Sequence, residues 1–152
     1  MSQPPHATDP KAIVIQAWQA FSNRDPAQIA DLFHEDAEWI APQGNATAVA
    51  LGYTSGMSGR ASIVRFITEE FGRLFVDEVQ SEFRGMFADG NVVIVEQRLQ
   101  ARLVNGRRYD NLYCFVFVVE DGRIRQVREY MDTLGGRDMV FGPGEPARQL
   151  VA

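Results

Sequence analysis

Apolar residues in the N-terminal half of the chain recur three and four positions apart, the spacing that places them on one side of an α-helix. Two of three such stretches open with an Asp-Pro pair, Asp9-Pro10 and Asp25-Pro26. A capping aspartate followed by a proline in the first turn is typical of a helix start. The third stretch covers about residues 60–74. The pattern therefore predicts three helices.

The segment between the second and third helices shows no such period. "AEWIAP" predicts a short strand that ends at Pro42, because proline cannot donate a hydrogen bond to a sheet. "QGNATAVALGYTSGMSG" follows it and contains four glycines. We expect a long loop here, and loops of that length are often functional.

The C-terminal half instead alternates apolar and polar residues, as strands do. The connections between the alternating stretches read "DGN", "NG" and "DG", which are typical of hairpin turns. Four antiparallel strands are predicted, at about 78–88, 91–104, 108–119 and 123–132.

Helices followed by a meander of strands predict an α+β fold, in which a curved antiparallel sheet carries the three helices of the N-terminal half against one face. The 152 residues suit one domain. We expect that domain at 10–135, between an N-terminal tail at 1–9 and a C-terminal tail at 136–152.

Composition narrows the function classes. The net charge is −5, so the phosphates of nucleic acid would repel the protein. No apolar run is long enough to span a bilayer, and the first ten residues do not resemble a signal peptide. With one cysteine and two histidines, we expect neither a disulfide nor a metal site. The composition predicts a soluble cytoplasmic protein that binds no nucleic acid, membrane or cofactor.

The candidate for chemistry is a carboxylate on the last strand, in "GRIRQVREYMDT". Every second residue gives a face with Val127, Glu129 and Met131. An ionisable side chain between two apolar ones is expected where a strand lines a pocket. Such surroundings raise the pKa of a carboxyl group and suit it to general base catalysis.

A two-residue turn at Asp121-Gly122 would determine which residues of the preceding strand lie opposite Glu129 and Met131. It places Cys114 opposite Glu129, and Leu112 opposite Met131. The other face of the sheet would then carry aromatic side chains too numerous to leave in water. We therefore expect a homodimer through an outer face that contains Tyr113, Phe115, Phe117 and Tyr130.

The strand "VVIVEQRLQARLV" leaves two registers open. A two-residue "NG" turn would place its odd-numbered residues beside Cys114. A three-residue turn with a bulge would place Glu96 and Arg98 there instead, and Arg98 could then pair with Glu129. That pair could serve catalysis or only stability.

The order of elements, with "LFHEDAEWIAP", "GRASIVRFI" and "DGRI" followed by "REYMD", resembles the SnoaL-like and ketosteroid-isomerase-like branch of the nuclear transport factor 2-like superfamily. The resemblance covers about residues 10–135. It implies a cone-shaped fold in which a bent sheet encloses a deep apolar pocket, commonly in dimers.

The resemblance also suggests roles for single residues. Glu129 matches the acid/base aspartate of SnoaL-like polyketide cyclases and the water-activating aspartate of limonene epoxide hydrolases. The general base of ketosteroid isomerases matches Ala41, and their oxyanion-hole tyrosine and aspartate match Trp18 and Cys114. The resemblance therefore does not extend to the isomerase residues.

The epoxide hydrolases hold a water molecule with a tyrosine and an asparagine on the first strand, and these match Trp39 and Ala41. Their arginine and aspartate on the middle strand match Glu96 and Arg98, with the charges exchanged. The water site is not reproduced. This alignment favours the three-residue turn.

Together these observations predict a cofactor-independent SnoaL-like enzyme of isomerase, cyclase or hydrolase type, acting on a small and mostly apolar molecule. Glu129, Arg98 and Glu96 are its expected catalytic residues. The pocket residues expected are Trp18, Trp39, Ala41, Phe66, Leu112, Cys114, Val127 and Met131. The alternatives are a non-catalytic ligand-binding or dimerisation module and an epoxide hydrolase of the limonene type.

Overall fold

The first two helices form where the Asp-Pro pairs predict them. The computed structural model describes residues 9–152, so most of the predicted N-terminal tail lies outside it. Helix α1 spans Pro10–Asn23 and α2 spans Pro26–Leu32. The carboxylates of Asp9 and Asp25 accept hydrogen bonds from backbone N–H groups of the first turns, as capping residues do.

The predicted loop between the second and third helices is wrong in part, because it contains two regular elements. Helix α3 spans Ala46–Leu51 and is capped by the side chain of Asn45. A short strand, β2, spans Gly56–Ser58 and pairs with the first strand.

The third predicted helix is present but not uniform. It consists of α4 (Arg60–Arg65), a π-helical segment (Phe66–Glu70) and α5 (Phe71–Leu74). A π-helical turn is uncommon inside a helix and occurs often at functional sites. Here it carries Phe66, which points into the cavity described below.

The strands form one curved, unclosed sheet of six, in the order β2-β1-β6-β5-β4-β3. The α+β fold is therefore confirmed, but the sheet is not wholly antiparallel, because β1 and β6 run parallel. The other strands are β1 (Phe33–Ile40), β3 (Phe75–Asp89), β4 (Val92–Leu103), β5 (Arg108–Glu120) and β6 (Arg123–Met131).

A sixth helix crosses the boundary predicted at residue 135. Helix α6 spans Thr133–Phe141 and is capped by Asp132. Its residues Val140 and Phe141 are buried in the core. Further along, Leu150 donates its backbone N–H to the carbonyl of Ala50 at 2.8 Å. The segment predicted as a tail thus contributes to the core.

The core fills the space between the helices and one face of the sheet, here called the inner face. On β4 and β5 the odd-numbered side chains point inwards and are buried. Those of β5 are Tyr109, Asn111, Tyr113, Phe115, Phe117 and Val119. No helix within residues 9–152 is long and apolar enough to cross a membrane.

Two turns and one bulge set the register of the last three strands. A three-residue turn joins β4 to β5, so Glu96 pairs with Cys114 and Arg98 with Leu112, as the second alternative predicts. The Asp121-Gly122 turn forms as expected and pairs Glu120 with Arg123.

The bulge, however, is not predicted. Arg125 is an extra residue between two pairs, Val119 with Ile124 and Val118 with Gln126. From there on, every residue of β6 faces a partner one position away from the predicted one, because a bulge shifts the register by one. The Arg125 side chain pairs with Asp36 of β1 and with Glu120, which holds the bulge at the outer face.

Candidate active site

A cavity of about 460 Å³ lies between the helices and the inner face of the sheet. This volume falls in the range of small-molecule sites. Polar residues such as Asn45 and Gln97 contribute to its wall. Nine aromatic residues also line it, namely Trp18, Phe21, Trp39, Phe66, Phe71, Phe75, Phe83, Tyr113 and Phe115. Within residues 9–152, Glu129 is the one carboxylate in this wall and Arg24 the one cation.

The Arg125 bulge determines that Glu129 faces the cavity. With the shifted register Glu129 lies opposite Phe115, an inward residue, and Val127 opposite Phe117. The predicted partner, Cys114, is on the outer face of the sheet, so that pairing is wrong. Without the bulge, Glu129 would share a face with Cys114 and point away from the cavity.

The environment of Glu129 changes its acidity. Burial among apolar side chains raises the pKa of the Glu129 carboxyl from its ordinary 4.5 to about 7. A hydrogen-bonding interaction with the side chain of Trp39 acts in the opposite direction and is the smaller effect. No cation contributes to the shift. Glu129 is therefore protonated and ionised in similar proportions near neutral pH, as a general base at that pH requires.

A chain of hydrogen bonds runs through the inner face next to Glu129. The amide of Asn111 is oriented by two backbone groups, because its oxygen accepts from the N–H of Leu112 and its nitrogen donates to the carbonyl of Asp132 at 3.0 Å. The same nitrogen donates to the hydroxyl of Tyr109 at 3.1 Å. Tyr109 in turn forms a hydrogen bond with the hydroxyl of Tyr113.

These bonds hold the hydroxyl of Tyr113 in place at the cavity. The hydroxyl of Tyr109 has two acceptor sites, so it can accept from Asn111 and from Tyr113 together, and either tyrosine can be the donor in the last bond. Tyr113 lines the cavity. Burial holds the pKa of Tyr113 well above its ordinary value, so the hydroxyl stays protonated. Tyr113 thus presents a protonated hydroxyl, positioned by Tyr109, to the cavity.

Tyr113 and Glu129 are close enough to act on one molecule. Tyr113 pairs with Met131, two residues after Glu129 on the same face of the neighbouring strand. The charge of Glu129 raises the pKa of Tyr113 further. A carboxyl group with a raised pKa and a protonated hydroxyl group therefore line one cavity.

Comparison with known proteins identifies the family of this chain. A model of the SnoaL-like domain matches residues 14–127. The chain belongs to the SnoaL-like family of the nuclear transport factor 2-like superfamily. A comparison with curated proteins found no significant match.

Solved structures similar to this SnoaL-like protein share its fold at low sequence identity. An NTF2-like protein of unknown function from Burkholderia pseudomallei is 19% identical with a TM-score of 0.74, over 86% of this chain and 96% of the other. An LEH-like epoxide hydrolase from M. tuberculosis is 21% identical with a TM-score of 0.67, over 86% and 88%. A protein from Jannaschia sp. named as a putative SnoaL-like polyketide cyclase is 14% identical with a TM-score of 0.71, over 94% and 99%.

Several predicted pocket residues of the SnoaL-like protein do lie at the cavity. Trp18, Trp39, Ala41 and Phe66 all line it. The indole N–H of Trp18 is buried and has no acceptor within residues 9–152. Val127 is completely buried in the core rather than exposed to the cavity. Met131 lies beside a second, very small pocket.

Other predicted site residues are on the outer face, so their assignment to the pocket is wrong. Glu96 is exposed and Leu112 is 51% exposed, while Cys114 is partly buried. Arg98 forms a bidentate ion pair with Asp110, at 2.8 and 2.7 Å, and not with Glu129. The turn was the correct one, but the bulge puts Glu129 on the opposite side of the sheet from these residues.

The bulge also corrects the predicted outer face. Tyr113, Phe115 and Phe117 point inwards and are at most 8% exposed, so they cannot form a dimer interface. Tyr130 alone of that group is on the outer face, where it is 52% exposed. The homodimer itself stays a prediction, now to be placed on other residues.

The hydroxyl of Tyr113 is a polar group of the cavity that the sequence did not reveal. Tyr109, Asn111 and Tyr113 stand at alternate positions in "RYDNLYCF", so their common face could be read from the strand period. The period does not show whether that face points towards the cavity or away from it. Spacing on β6 contains the signal, because Ile124 and Val127 are both buried although they stand three positions apart. In a regular strand they would point to opposite faces.

Proposed function

We propose that this SnoaL-like protein catalyses proton transfer at a carbon next to a carbonyl group in a small, mostly apolar molecule. Glu129 is the general base, and Tyr113 donates a hydrogen bond to the carbonyl oxygen. The observation that carries the proposal is a single carboxylate with a pKa of about 7 in an aromatic cavity large enough for such a molecule.

The proton balance of the proposed step is simple. The ionised carboxylate of Glu129 takes a proton from the carbon, and the electron pair moves into the carbonyl group to form an enolate. The hydroxyl of Tyr113 stabilises the charge that develops on the oxygen, as an oriented donor does. Protonated Glu129 then returns the proton to the same carbon or to a conjugated one, which regenerates the enzyme. A base of this kind typically accelerates a reaction by about 10²–10⁴-fold.

The surroundings support a base of this strength. Glu129 has no cationic partner, so its carboxylate is not stabilised in the ionised form and remains a good proton acceptor. Tyr113 is held by Tyr109 and Asn111 before any ligand binds. A donor that needs no reorientation contributes more to transition-state stabilisation than a mobile one.

Epoxide hydrolysis, the activity in the name of one similar structure, receives less support from the first strand. A water molecule needs two to four polar partners to be held in place. That strand and its end offer an indole at Trp39 and a methyl group at Ala41, so a water molecule beside Glu129 would depend on Tyr113 and other parts of the wall. A non-catalytic binding module would use the same cavity without the proton transfer.

Hydrogen exchange in D2O tests the proposal without knowledge of the natural substrate. The probe is 2-tetralone, a bicyclic ketone with acidic hydrogens, followed by ¹H NMR at about pH 7. We expect catalysed exchange that falls at least about a hundredfold in Glu129→Gln, because an amide cannot accept the proton. Glu96→Gln is the matched control, since Glu96 lies on the outer face of the same sheet.

The outcomes separate the candidate functions. Full exchange activity in Glu129→Gln would end the assignment of the base. Binding of 2-tetralone without exchange would favour a non-catalytic module. Hydrolysis of styrene oxide that depends on Glu129, without ketone exchange, would favour the epoxide hydrolase.

A further inference from the structure

Arg24 occupies a backbone conformation that residues other than glycine rarely adopt. It follows helix α1 directly, with φ 51° and ψ 36°, in the left-handed region. At the end of a helix this position is usually taken by glycine or asparagine. An arginine there directs a long charged side chain from the helix end, and that side chain forms part of the cavity wall.

The guanidinium of Arg24 is supported by two residues of the third helical stretch. Its central carbon lies 5.7 Å from the centre of the Phe71 ring, a cation–π distance, and Phe71 also lines the cavity. Gly72 leaves room for the group, because a Cβ added there would come within 2.8 Å of Nη1 of Arg24. The Phe71 ring thus contacts the guanidinium, and because Arg24 is exposed its N–H groups remain accessible to a ligand.

No carboxylate of the protein neutralises Arg24. The ion pairs within residues 9–152 do not include it. Glu129, the one carboxylate of the cavity wall, receives no contribution from a cation. The two charged groups of the cavity therefore act separately, and Arg24 keeps its donors for a ligand.

We propose that Arg24 binds the carboxylate of an otherwise apolar substrate whose body fills the aromatic cavity. The inference rests on the proposed function, because it places the anionic end of the substrate at Arg24 and its reacting carbonyl at Glu129 and Tyr113. Arginine suits this task because its planar fork gives a carboxylate two parallel hydrogen bonds. The substrate class is then an apolar keto acid.

Both tryptophans of the chain, Trp18 and Trp39, line the cavity, so their fluorescence reports binding directly. The probes are 4-phenylbutanoate and its uncharged amide, 4-phenylbutanamide, titrated at about pH 7. In the wild-type protein we expect the acid to bind at least about tenfold more tightly, since a charged hydrogen bond is the stronger kind. In Arg24→Met this ratio should fall to within about twofold, with the Kd of the amide unchanged.

Two further variants complete the test. Arg123→Met removes one positive charge from the β5–β6 hairpin, outside the cavity wall, and should keep the preference for the acid. Arg24→Lys keeps the charge but loses the planar guanidinium, and should retain only part of the preference for the acid. Circular dichroism verifies that each variant is folded.

Equal affinities for acid and amide in the wild-type protein would overturn the inference, as would an undiminished preference in Arg24→Met. If this happens while 2-tetralone exchange still depends on Glu129, the inference about Arg24 fails and the proposed function stands. If neither probe binds, the inference about Arg24 fails, and 2-tetralone exchange alone decides the proposed function.

Discussion

Replacing Glu129 with glutamine should change how the stability of the protein depends on pH. In the folded protein the pKa of Glu129 is about 7, whereas the unfolded chain has the ordinary 4.5. The folded state therefore holds this proton at pH values where the unfolded state has lost it. The free energy of unfolding then decreases as the pH rises from about 4.5 to about 7, because folding at higher pH requires a buried charge.

The size of the effect follows from the two pKa values. At 1.36 kcal/mol per pKa unit, the difference corresponds to at most about 3 kcal/mol, fully expressed above pH 7. Water in the cavity reduces the cost of the charge and hence this figure. Glutamine has nearly the same shape and carries no charge, so it loses little at low pH and avoids the cost at high pH.

The assay is urea denaturation of the wild type and Glu129→Gln at about pH 5, 6, 7 and 8. Other titrating groups are common to both proteins and cancel in the difference. We expect the variant to gain stability relative to the wild type with rising pH, by about 2–3 kcal/mol over this range. Glu96→Gln is the matched control and should give a flat difference, because Glu96 is exposed on the outer face.

A difference that stays flat for Glu129→Gln would refute the reasoning, since it would mean that the carboxylate pays no burial cost. A difference that falls with pH would show that ionised Glu129 is stabilised by a partner. Either result would remove the physical basis for assigning it as a base with a raised pKa.

Phe117, Asn111 and the outer face of the sheet each provide a further test of the corrected register. Phe117→Ala should lower the free energy of unfolding by about 3–5 kcal/mol in urea denaturation, since Phe117 is completely buried. A small loss would indicate that Phe117 lies on the outer face instead. Asn111→Leu should lower the free energy of unfolding by about 1–3 kcal/mol and slow 2-tetralone exchange, because Tyr109 loses the donor of a hydrogen bond. Unchanged exchange would show that the hydrogen bonds of Asn111 and Tyr109 do not contribute to catalysis. A homodimer through the outer face should sediment as such at micromolar concentration and dissociate in Leu112→Asp; a wild-type monomer would end that prediction.

Helix starts and tight turns could be predicted from the sequence, because they depend on neighbouring residues. The Asp-Pro caps define where α1 and α2 begin, and the Asp121-Gly122 turn needs two residues with positive φ, which aspartate and glycine supply. The family resemblance added the fold, and the family is confirmed. Helix α3 was missed because six residues are marginal as an isolated helix and depend on their packing.

Periodicity alone could not predict which side chains of β5 point inwards. Strand β5 is apolar on both sides, so aromatic residues such as Phe115 can equally face inwards or outwards in the pattern. A one-residue shift on the neighbouring strand decides between the two, and the shift comes from Arg125, which pairs with Asp36 far away in sequence. Glu129 does line the cavity, but its predicted neighbours Cys114 and Arg98 lie on the outer face for this one reason.

NMR can observe the titration of the Glu129 carboxyl group directly. A general base in this cavity requires that it titrates near neutrality. Glutamate labelled with ¹³C at the side-chain carboxyl gives one resonance per residue, and the resonance missing from Glu129→Gln belongs to Glu129. We predict that this resonance titrates with a midpoint near pH 7. A midpoint below about pH 5, the ordinary range of an exposed glutamate, would contradict the account.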